Sequence, residues 1–247
     1  MTVGILHGSA PRPYESGHMR RLLGPALRPG GLALTRQALA LCRLPGGARV
    51  LDLGCGPGVS LGYLRQTAGC RAVGLDPSPV LLAEAAGLGP VLTGRAEALP
   101  FADGCLDAVL CECVLSLTRD KDAALLECAR VLTPGGWLII SDVYRKDGPE
   151  TAAPPASPPY PADGCLRGAE PLEEVFARLT RAGLCRSFFE TRDKDIKELA
   201  ARIVLSDGSL EAFWDSVSPG GSACGGGYSA PGRVGYYLLI AQKDAAR

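Results

Sequence analysis

Apolar and polar positions alternate along this chain in blocks that predict short buried strands separated by amphipathic helices. The run Val50–Leu53, apolar except for one Asp, is typical of a strand covered on both faces. The stretch 123–132 instead places Leu125, Leu126 and Ala129 three and four positions apart, which is the spacing of one helix face. Such an alternation predicts an α/β fold, with helices on both faces of a mostly parallel sheet.

The same pattern predicts seven strands, the last two forming a hairpin-like pair. These strands are Arg49–Leu53, Arg71–Leu75, Val91–Thr93, Leu106–Cys111, Gly135–Val143, Cys185–Thr191 and Val234–Ala241. Helices after the first strand are expected at 59–67, Pro79–Ala86, Ala123–Leu132, Pro171–Ala182 and Asp193–Val217, the last interrupted at Asp207-Gly208. Ligands of such sheets bind at the carboxyl ends of the strands, so the segments that follow the strands are the candidates for function.

A glycine-rich turn follows the first predicted strand. Glycines at 54, 56 and 58 end the strand, allow a sharp bend, and let a ligand approach the backbone closely. The helix expected from Val59 would offer its free N–H groups to polar or anionic atoms. A dinucleotide fingerprint needs Gly-x-Gly-x-x-Gly, and Val59 occupies the place of its third glycine, which disfavours a nicotinamide dehydrogenase.

The stretch from Asp52 to Gly58 resembles the first motif of class I S-adenosylmethionine (SAM)-dependent methyltransferases. The resemblance implies a Rossmann-like sheet whose last strand is antiparallel, and SAM as cofactor. In that family the acidic residue and the glycine loop hold the amino-acid end of SAM. The residues placed there are Asp52, Gly54, Cys55, Gly56, Pro57 and Gly58.

Asp76 and Pro77, at the end of the second strand, resemble the next part of the family's cofactor site. The family's acidic residue at this point accepts hydrogen bonds from the ribose hydroxyls of SAM. A second role for Asp76 is to cap the following helix, because Asp-Pro-Ser is a common helix start.

The segment 94–101 resembles the family's loop after the third strand, with one departure. Arg95 stands where the family usually carries an Asp that faces the adenine amino group, and an arginine accepts no hydrogen bond. The adenine contact is therefore expected from the backbone of Ala96, from Glu97, or not at all.

Two further segments look more specifically like the arsenite methyltransferase branch. The first runs from Cys113 to Leu117, with Glu112 where that branch usually has Asn; Glu112 and Cys113 are placed on the cofactor side. A Ser-Asp-Val sequence at 141–143 ends the fifth strand, as in that branch.

Two cysteines are candidate arsenic ligands by the same resemblance. Cys165 lies in a Cys-Leu-x-Gly-Ala segment, whose cysteine binds arsenic in that branch, and Cys224 precedes the last strand, although its neighbours do not match. Cys165 and Cys224 are therefore the predicted acceptor-side residues. Trivalent arsenic is soft and binds thiolates, and its methylation requires alignment and exclusion of water rather than a general base.

Three segments are expected along the 247 residues. Residues 1–44 would form an N-terminal helical cap and residues 45–146 the SAM-binding α/β core. Residues 147–247 would start with a proline-rich crossing loop, since six prolines between 149 and 161 exclude a helix or central strand. They would then complete the sheet and the substrate side. Tyr14, His18 and Met19 could touch SAM or substrate from the cap, although a structural role is the simpler expectation.

The composition limits which binding partners and which cellular compartment are expected. Lys+Arg and Asp+Glu are both 26, so no basic surface for nucleic acid is expected, and no apolar run approaches the ~20 residues of a membrane span. The first residues lack the order of a secretory signal, which predicts a cytoplasmic protein. The ten cysteines contain no Cys-x-x-Cys pair, so no metal site is predicted. Six are expected to be small buried hydrophobes: Cys42, Cys70, Cys105, Cys111, Cys128 and Cys185.

The sequence predicts a SAM-dependent methyltransferase for a small acceptor, with thiol-bound trivalent arsenic as the specific hypothesis. One alternative is a methyltransferase for an organic small molecule, in which the cysteines are incidental. The other is a non-catalytic protein that binds SAM or a metalloid for a partner protein.

Overall fold

One mixed sheet organises the chain. The computed structural model describes residues 13–146, 165–210, 212 and 234–245. The strands are β1 (Arg49–Leu53), β2 (Arg71–Asp76), β3 (Val91–Thr93), β4 (Leu106–Glu112), β5 (Leu132–Arg145), β6 (Glu170–Pro171), β7 (Leu184–Thr191) and β8 (Val234–Lys243). Their order across the sheet is β3-β2-β1-β4-β5-β8-β7, and the short β6 pairs with β5 off this path. Strands β1 to β5 are parallel, whereas β8 runs antiparallel to both β5 and β7.

Seven α-helices accompany the sheet within the described residues: α1 (Gly17–Leu23), α2 (Gly31–Cys42), α3 (Val59–Gln66), α4 (Pro79–Ala85), α5 (Lys121–Val131), α6 (Leu172–Arg181) and α7 (Asp193–Asp207). The central strands are apolar at successive positions because both faces are covered. Val50 packs with side chains of α2 and α3, while its neighbour Leu51 packs with side chains of α5 and α6. The α/β architecture predicted from the sequence is therefore confirmed, including the antiparallel last strand.

The element boundaries differ from the prediction mainly where polar residues begin an element. Helix α5 starts at Lys121, two residues before the predicted start, because the Asp120 carboxylate accepts a hydrogen bond from the Ala123 N–H at 2.9 Å and caps it. Strand β5 begins at Leu132 rather than Gly135. The predicted interruption at Asp207-Gly208 is confirmed, since α7 ends at Asp207 and Gly208 at φ +81° closes it. The proline-rich segment 149–161 lies outside the described residues.

Two of the six cysteines predicted to be buried are not. Cys185 is exposed because β7 is the edge strand of the sheet, and Cys105 is half-buried in the turn before β4. The other four are buried, namely Cys42, Cys70, Cys111 and Cys128. All nine described cysteines are free thiols.

The N-terminal cap contacts the cofactor half of the sheet. Ser78, which begins α4, donates a hydrogen bond to the Glu15 carboxylate at 2.7 Å, and Arg20 pairs with Glu84 of the same helix at 2.6 Å. Met19, which is 1% exposed, packs against α7. The cap thus joins α4 to α7. No helix within the described ranges has the length and apolar character that crossing a membrane would require.

Candidate active site

The glycine loop after β1 requires glycine at each of its three positions. Gly54, Gly56 and Gly58 have φ values of +68°, +52° and +87°, which side chains of L-residues rarely adopt. A Cβ on Gly54 would lie 2.2 Å from Val114 Cγ2, and one on Gly58 would lie 2.8 Å from Ala85 Cβ. A Cβ on Gly56 would meet no atom within 4 Å. The loop therefore packs tightly at both ends and leaves its middle open to a ligand.

Asp76 holds the glycine loop against the start of α4. Its Oδ2 accepts a hydrogen bond from the Gly56 N–H at 3.0 Å, and its Oδ1 accepts one from the Ser78 N–H at 2.8 Å. The predicted alternative role of Asp76 as helix cap is wrong, because the Ser78 hydroxyl accepts the Leu81 N–H and is itself the cap. Asp76 thus lies beside the open middle of the loop, with Pro77 half-buried next to it.

Asp52 carries an unsatisfied acceptor beneath the loop. The residue is 3% exposed, and no described group donates a hydrogen bond to its Oδ2. Burial, followed by the negative charge of Glu112, raises the pKa of this carboxyl to about 8. A buried acceptor without a donor is costly in a folded protein, and a ligand carrying a cationic N–H group would satisfy it.

Glu112, predicted on the cofactor side, is bound to the cap through its carboxylate. The Arg28 guanidinium lies 2.7 Å from Glu112 Oε2, and both side chains are 5% exposed. Hydroxyl groups complete the contacts: Thr35 donates to Oε1 at 3.0 Å and Ser60 donates to Oε2 at 3.0 Å. The segment between α1 and α2 is thereby fixed to the end of β4 by a buried ion pair.

The loop after β3 presents backbone rather than a carboxylate. Ala96 is buried, while the Glu97 carboxylate accepts a hydrogen bond from the Arg119 N–H at 2.9 Å. Arg95, the departure from the family pattern, is exposed. One carboxylate oxygen of Glu97 is therefore already hydrogen-bonded to the neighbouring loop.

Cys113 follows β4 in an unusual backbone conformation. Its φ is +56°, and its N–H donates to the Ser141 carbonyl of β5 at 2.7 Å. Its thiol lies 3.2 Å from the Tyr236 hydroxyl of β8, which in turn donates to Ser141 Oγ at 3.2 Å. Burial raises the pKa of the Cys113 thiol well above its ordinary value.

Cys165 begins a short 3-10 helix, Cys165–Gly168, that lies against the loop after Cys113. A Cβ on Gly168 would lie 1.8 Å from the Ser116 carbonyl oxygen, so glycine alone permits this contact. Burial raises the pKa of Cys165 to about 11, opposed by a hydrogen bond from Tyr14 of the cap. The charge of Cys165 also contributes to the raised pKa of Cys113.

The predicted site residues thus form two neighbouring groups. The first comprises the glycine loop with Asp52, Asp76 and Pro77, in which Cys55 is buried and Pro57 half-buried. The second contains Cys113 and Cys165, and it touches the first because Val114 packs on Gly54. Cys224 lies outside the described residues. Sequence reasoning missed Arg28 and Tyr236, since neither stands in a motif.

Comparisons with known proteins show which family and which relatives the chain resembles. Residues 51–140 match the family model described as a methyltransferase domain. The chain is 31% identical over 163 residues to an arsenite methyltransferase of Halobacterium salinarum, a match covering 58% of this chain and 39% of that protein. It is 37% identical over 115 residues to an arsenite methyltransferase of Aquipseudomonas alcaligenes, covering 40% and 33%. A demethylmenaquinone methyltransferase of Mycolicibacterium paratuberculosis is 41% identical over 109 residues, covering 44% and 46%. The chain spans less than half the length of each of these curated relatives.

Solved structures show the same fold at low sequence identity. Phosphoethanolamine N-methyltransferase 2 of Haemonchus contortus, solved with SAM, has a TM-score of 0.70 at 20% identity, covering 92% of this chain and 56% of that one. The cyclase SpnF has a TM-score of 0.67 at 22% identity, covering 95% and 98%. The chain therefore shares the fold of these proteins, and residues 51–140 are similar to the methyltransferase domain family. Because a cyclase has the same fold, the fold alone does not determine the reaction.

The residues present fit SAM. The amino group of a bound amino acid is a cationic donor, which the unsatisfied Oδ2 of Asp52 lacks. Gly56 leaves open space on the loop where a ligand can contact the backbone. The fit thus rests on an unpaired buried acceptor and an open glycine at one strand end.

Proposed function

We propose that this protein is a SAM-dependent methyltransferase whose acceptor is small, and that this acceptor is trivalent arsenic held by Cys165. The observation that carries the proposal is the contact between the two parts of the site. The glycine loop packs through Gly54 on Val114, the residue after Cys113, and the 3-10 helix that Cys165 begins lies against the same segment, because Gly168 contacts Ser116. A thiol-bound acceptor would therefore lie beside the cofactor loop.

On the cofactor side, Asp52 would receive the amino group of SAM, the loop 54–58 would line its amino-acid end, and Asp76 would accept from the ribose. SAM would supply an electrophilic methyl group on a positively charged sulfur. Backbone at Ala96 is the nearest candidate for the adenine, since one Glu97 oxygen is engaged by Arg119.

On the acceptor side, the chemistry favours soft metalloids over acceptors that need deprotonation. The chain has two histidines, and His18 pairs with Asp207 of α7 at 3.0 Å. A soft trivalent centre carries its own lone pair, so alignment and exclusion of water suffice. Two of the partial matches are named arsenite methyltransferases, which agrees with this choice.

The test is a methyl-transfer assay with SAM, excess small-molecule thiol and arsenite, with products separated by mass spectrometry. The parent and Cys185→Ser should form methylated arsenic, while Cys165→Ser should not. Cys185 is the matched control because it is an exposed thiol on the edge strand. SAM binding without any arsenic product would reject arsenic as acceptor.

The second candidate is methyl transfer to an organic small molecule, and the 41% match to a demethylmenaquinone methyltransferase favours it. Consumption of SAM with organic acceptors, undiminished in Cys165→Ser, would support this candidate. Tight SAM binding without turnover on any acceptor would support a non-catalytic binder. In each case we propose a cytoplasmic protein acting on a small molecule rather than on nucleic acid, with segments 1–44, 45–146 and 147–247 as cap, core and substrate side.

A further inference from the structure

A buried arginine of the cap carries one hydrogen-bond donor that no described group accepts. Arg28 is 7% exposed and lies between α1 and α2. Its Nη2 lies 2.7 Å from Glu112 Oε2 and donates to Ser60 Oγ at 3.2 Å, while its Nη1 donates to the Ala26 carbonyl oxygen at 3.2 Å. Its Nε is buried and has no hydrogen-bond partner among the described residues. Because a guanidinium has five N–H donors, Arg28 can bind a further acceptor while it keeps Glu112.

The sheet register places this unpaired donor on the same face of the sheet as the unpaired Oδ2 of Asp52. In the parallel pairing of β1 with β4, Asp52 lies opposite Leu110, and Glu112 follows two positions later. Because side chains alternate along a strand, Asp52 and Glu112 project from one face, near the carboxyl edge of the sheet. Arg28 reaches this face through its ion pair with Glu112. A buried acceptor and a buried donor of opposite charge, both unpaired within the described chain, therefore lie at one end of one face.

The start of helix α3 lies beside the Arg28 guanidinium. Ser60, in the first turn of α3, accepts a hydrogen bond from Arg28 Nη2 and donates one to Glu112 Oε2 at 3.0 Å. The residue before the helix is Gly58, which offers no side chain to cap the first turn. The positive end of a helix and a guanidinium both favour a negatively charged ligand. This end of the α2–α3 face therefore suits an anionic group.

Both residues of the ion pair adjoin backbone in a sparsely populated conformation. Leu27, which precedes Arg28, has a φ of +54°, and Cys113, which follows Glu112, has a φ of +56°. Side chains of L-residues rarely adopt such angles, and the residues that do so concentrate at ligand sites. Surrounding contacts must hold these conformations, so the Arg28–Glu112 pair is fixed from both of its chain segments.

We propose that Arg28 binds the α-carboxylate of SAM, while Asp52 binds its α-amino group and Glu112 positions Arg28. The amino-acid end of SAM is a zwitterion, and its two charged groups would pair with the unpaired Oδ2 of Asp52 and the unpaired Nε of Arg28 together. A ligand with only an amine or only a carboxylate would leave one of these buried atoms unpaired, which is unfavourable. This inference rests on the proposed function for the cofactor but not for the methyl acceptor.

Decarboxylated SAM is the probe that tests the proposal, because it keeps the amino group, the sulfonium and the adenosine but lacks the carboxylate. Calorimetric titration of the full-length parent protein, without acceptor, should show that SAM binds about 30-fold more tightly than decarboxylated SAM, as expected for a buried hydrogen bond between charged groups. Equal affinities in the parent would overturn the role of Arg28 and leave the proposed function intact. Binding of neither ligand would overturn the proposed function together with this inference.

Variants separate recognition of the carboxylate from docking of the cap. Arg28→Lys keeps a positive charge beside Glu112 but removes the Nε–H, so it should bind SAM about 10-fold more weakly and bind decarboxylated SAM as the parent does. The double variant Arg28→Met/Glu112→Leu replaces the whole ion pair with apolar side chains and should bind the two ligands with equal affinity. Asp52→Asn should weaken both ligands by the same factor, since both carry the amino group.

The matched control is Arg21→Met, which removes an exposed arginine of α1 and should keep the preference of the parent for SAM. Circular dichroism and thermal unfolding check that each variant is folded. A folded Arg28→Lys or double variant in which the affinities for SAM and decarboxylated SAM fall by the same factor would overturn the proposal, because Arg28 would then only stabilise the cap.

Discussion

Asp52 is buried beneath the glycine loop, and no described group donates a hydrogen bond to its Oδ2. Its place before the glycines predicted a role at the cofactor, and the structure places it beneath the open loop. The missing donor at Oδ2 is not visible in the sequence, because it depends on Arg28, which pairs with Glu112 instead. Long-range pairing of buried charges cannot be inferred from the spacing of residues along the chain.

The raised pKa of Asp52 predicts how stability depends on pH. Its folded pKa of about 8 lies above the ordinary value of 3.8, so the native state binds one proton more than the unfolded state between these values. The free energy of unfolding should therefore fall as pH rises from about 5 to about 8. Asp52→Asn should remove this fall and be more stable than the parent by about 1–3 kcal/mol at pH 8.

Urea unfolding of the parent and Asp52→Asn, without ligand, at pH 5.5, 7 and 8.5 measures the effect. Asp107, an exposed carboxylate paired with Arg49, supplies a control in Asp107→Asn, which should show no such rise in relative stability. A difference between Asp52→Asn and the parent that does not change with pH would contradict the prediction.

Substitutions of Asp76 and Cys165 should affect cofactor binding differently. Asp76→Ala removes the acceptor of the Gly56 N–H and should weaken SAM binding by at least about 30-fold, equivalent to about 2 kcal/mol. Cys165→Ser should bind SAM as the parent does, because its contacts lie in the neighbouring group. Calorimetric titration with S-adenosylhomocysteine checks both, and loss of binding in Cys165→Ser would contradict the placement of Cys165 on the acceptor side.

At the scale of elements, the strands were predictable and the contacts of the cap were not. Short, mainly apolar segments between turn residues indicated β1 to β5, β7 and β8, whereas β6 has two residues and no periodicity. Nothing in the sequence indicates that Arg28 pairs with Glu112 at the end of β4, because this pairing depends on packing of α2 against the sheet. For the same reason, Glu112 was placed with the cofactor rather than with the cap.

Docking of the N-terminal cap on the sheet should depend strongly on the buried ion pair between Arg28 and Glu112. Glu112→Leu leaves the buried Arg28 guanidinium without its partner and should lower the free energy of unfolding by about 3–5 kcal/mol, and Arg28→Met should act similarly. The double variant should lose less than the sum of the two. Urea unfolding of the four proteins gives the coupling, and an additive double variant would show that the pair is not coupled.

At the scale of the whole molecule, one short segment joins the two parts of the site. Tyr14 reaches Cys165 on the acceptor side, while its neighbour Glu15 accepts a hydrogen bond from Ser78 beside Asp76 on the cofactor side. A ligand that orders either contact therefore orders the segment for the other. We expect S-adenosylhomocysteine to raise the affinity for arsenite about 5- to 10-fold, and arsenite to raise the affinity for S-adenosylhomocysteine by the same factor.

Glu15→Ala tests whether this segment carries the coupling. The variant should bind arsenite alone as the parent does, since Cys165 is intact, but the increase caused by S-adenosylhomocysteine should disappear. Glu84→Ala is the matched control, because it removes the cap's exposed ion pair with Arg20 and leaves the Ser78 contact in place. Undiminished coupling in Glu15→Ala would mean that the two parts communicate through Val114 and Gly54, which pack directly against each other, and not through the cap.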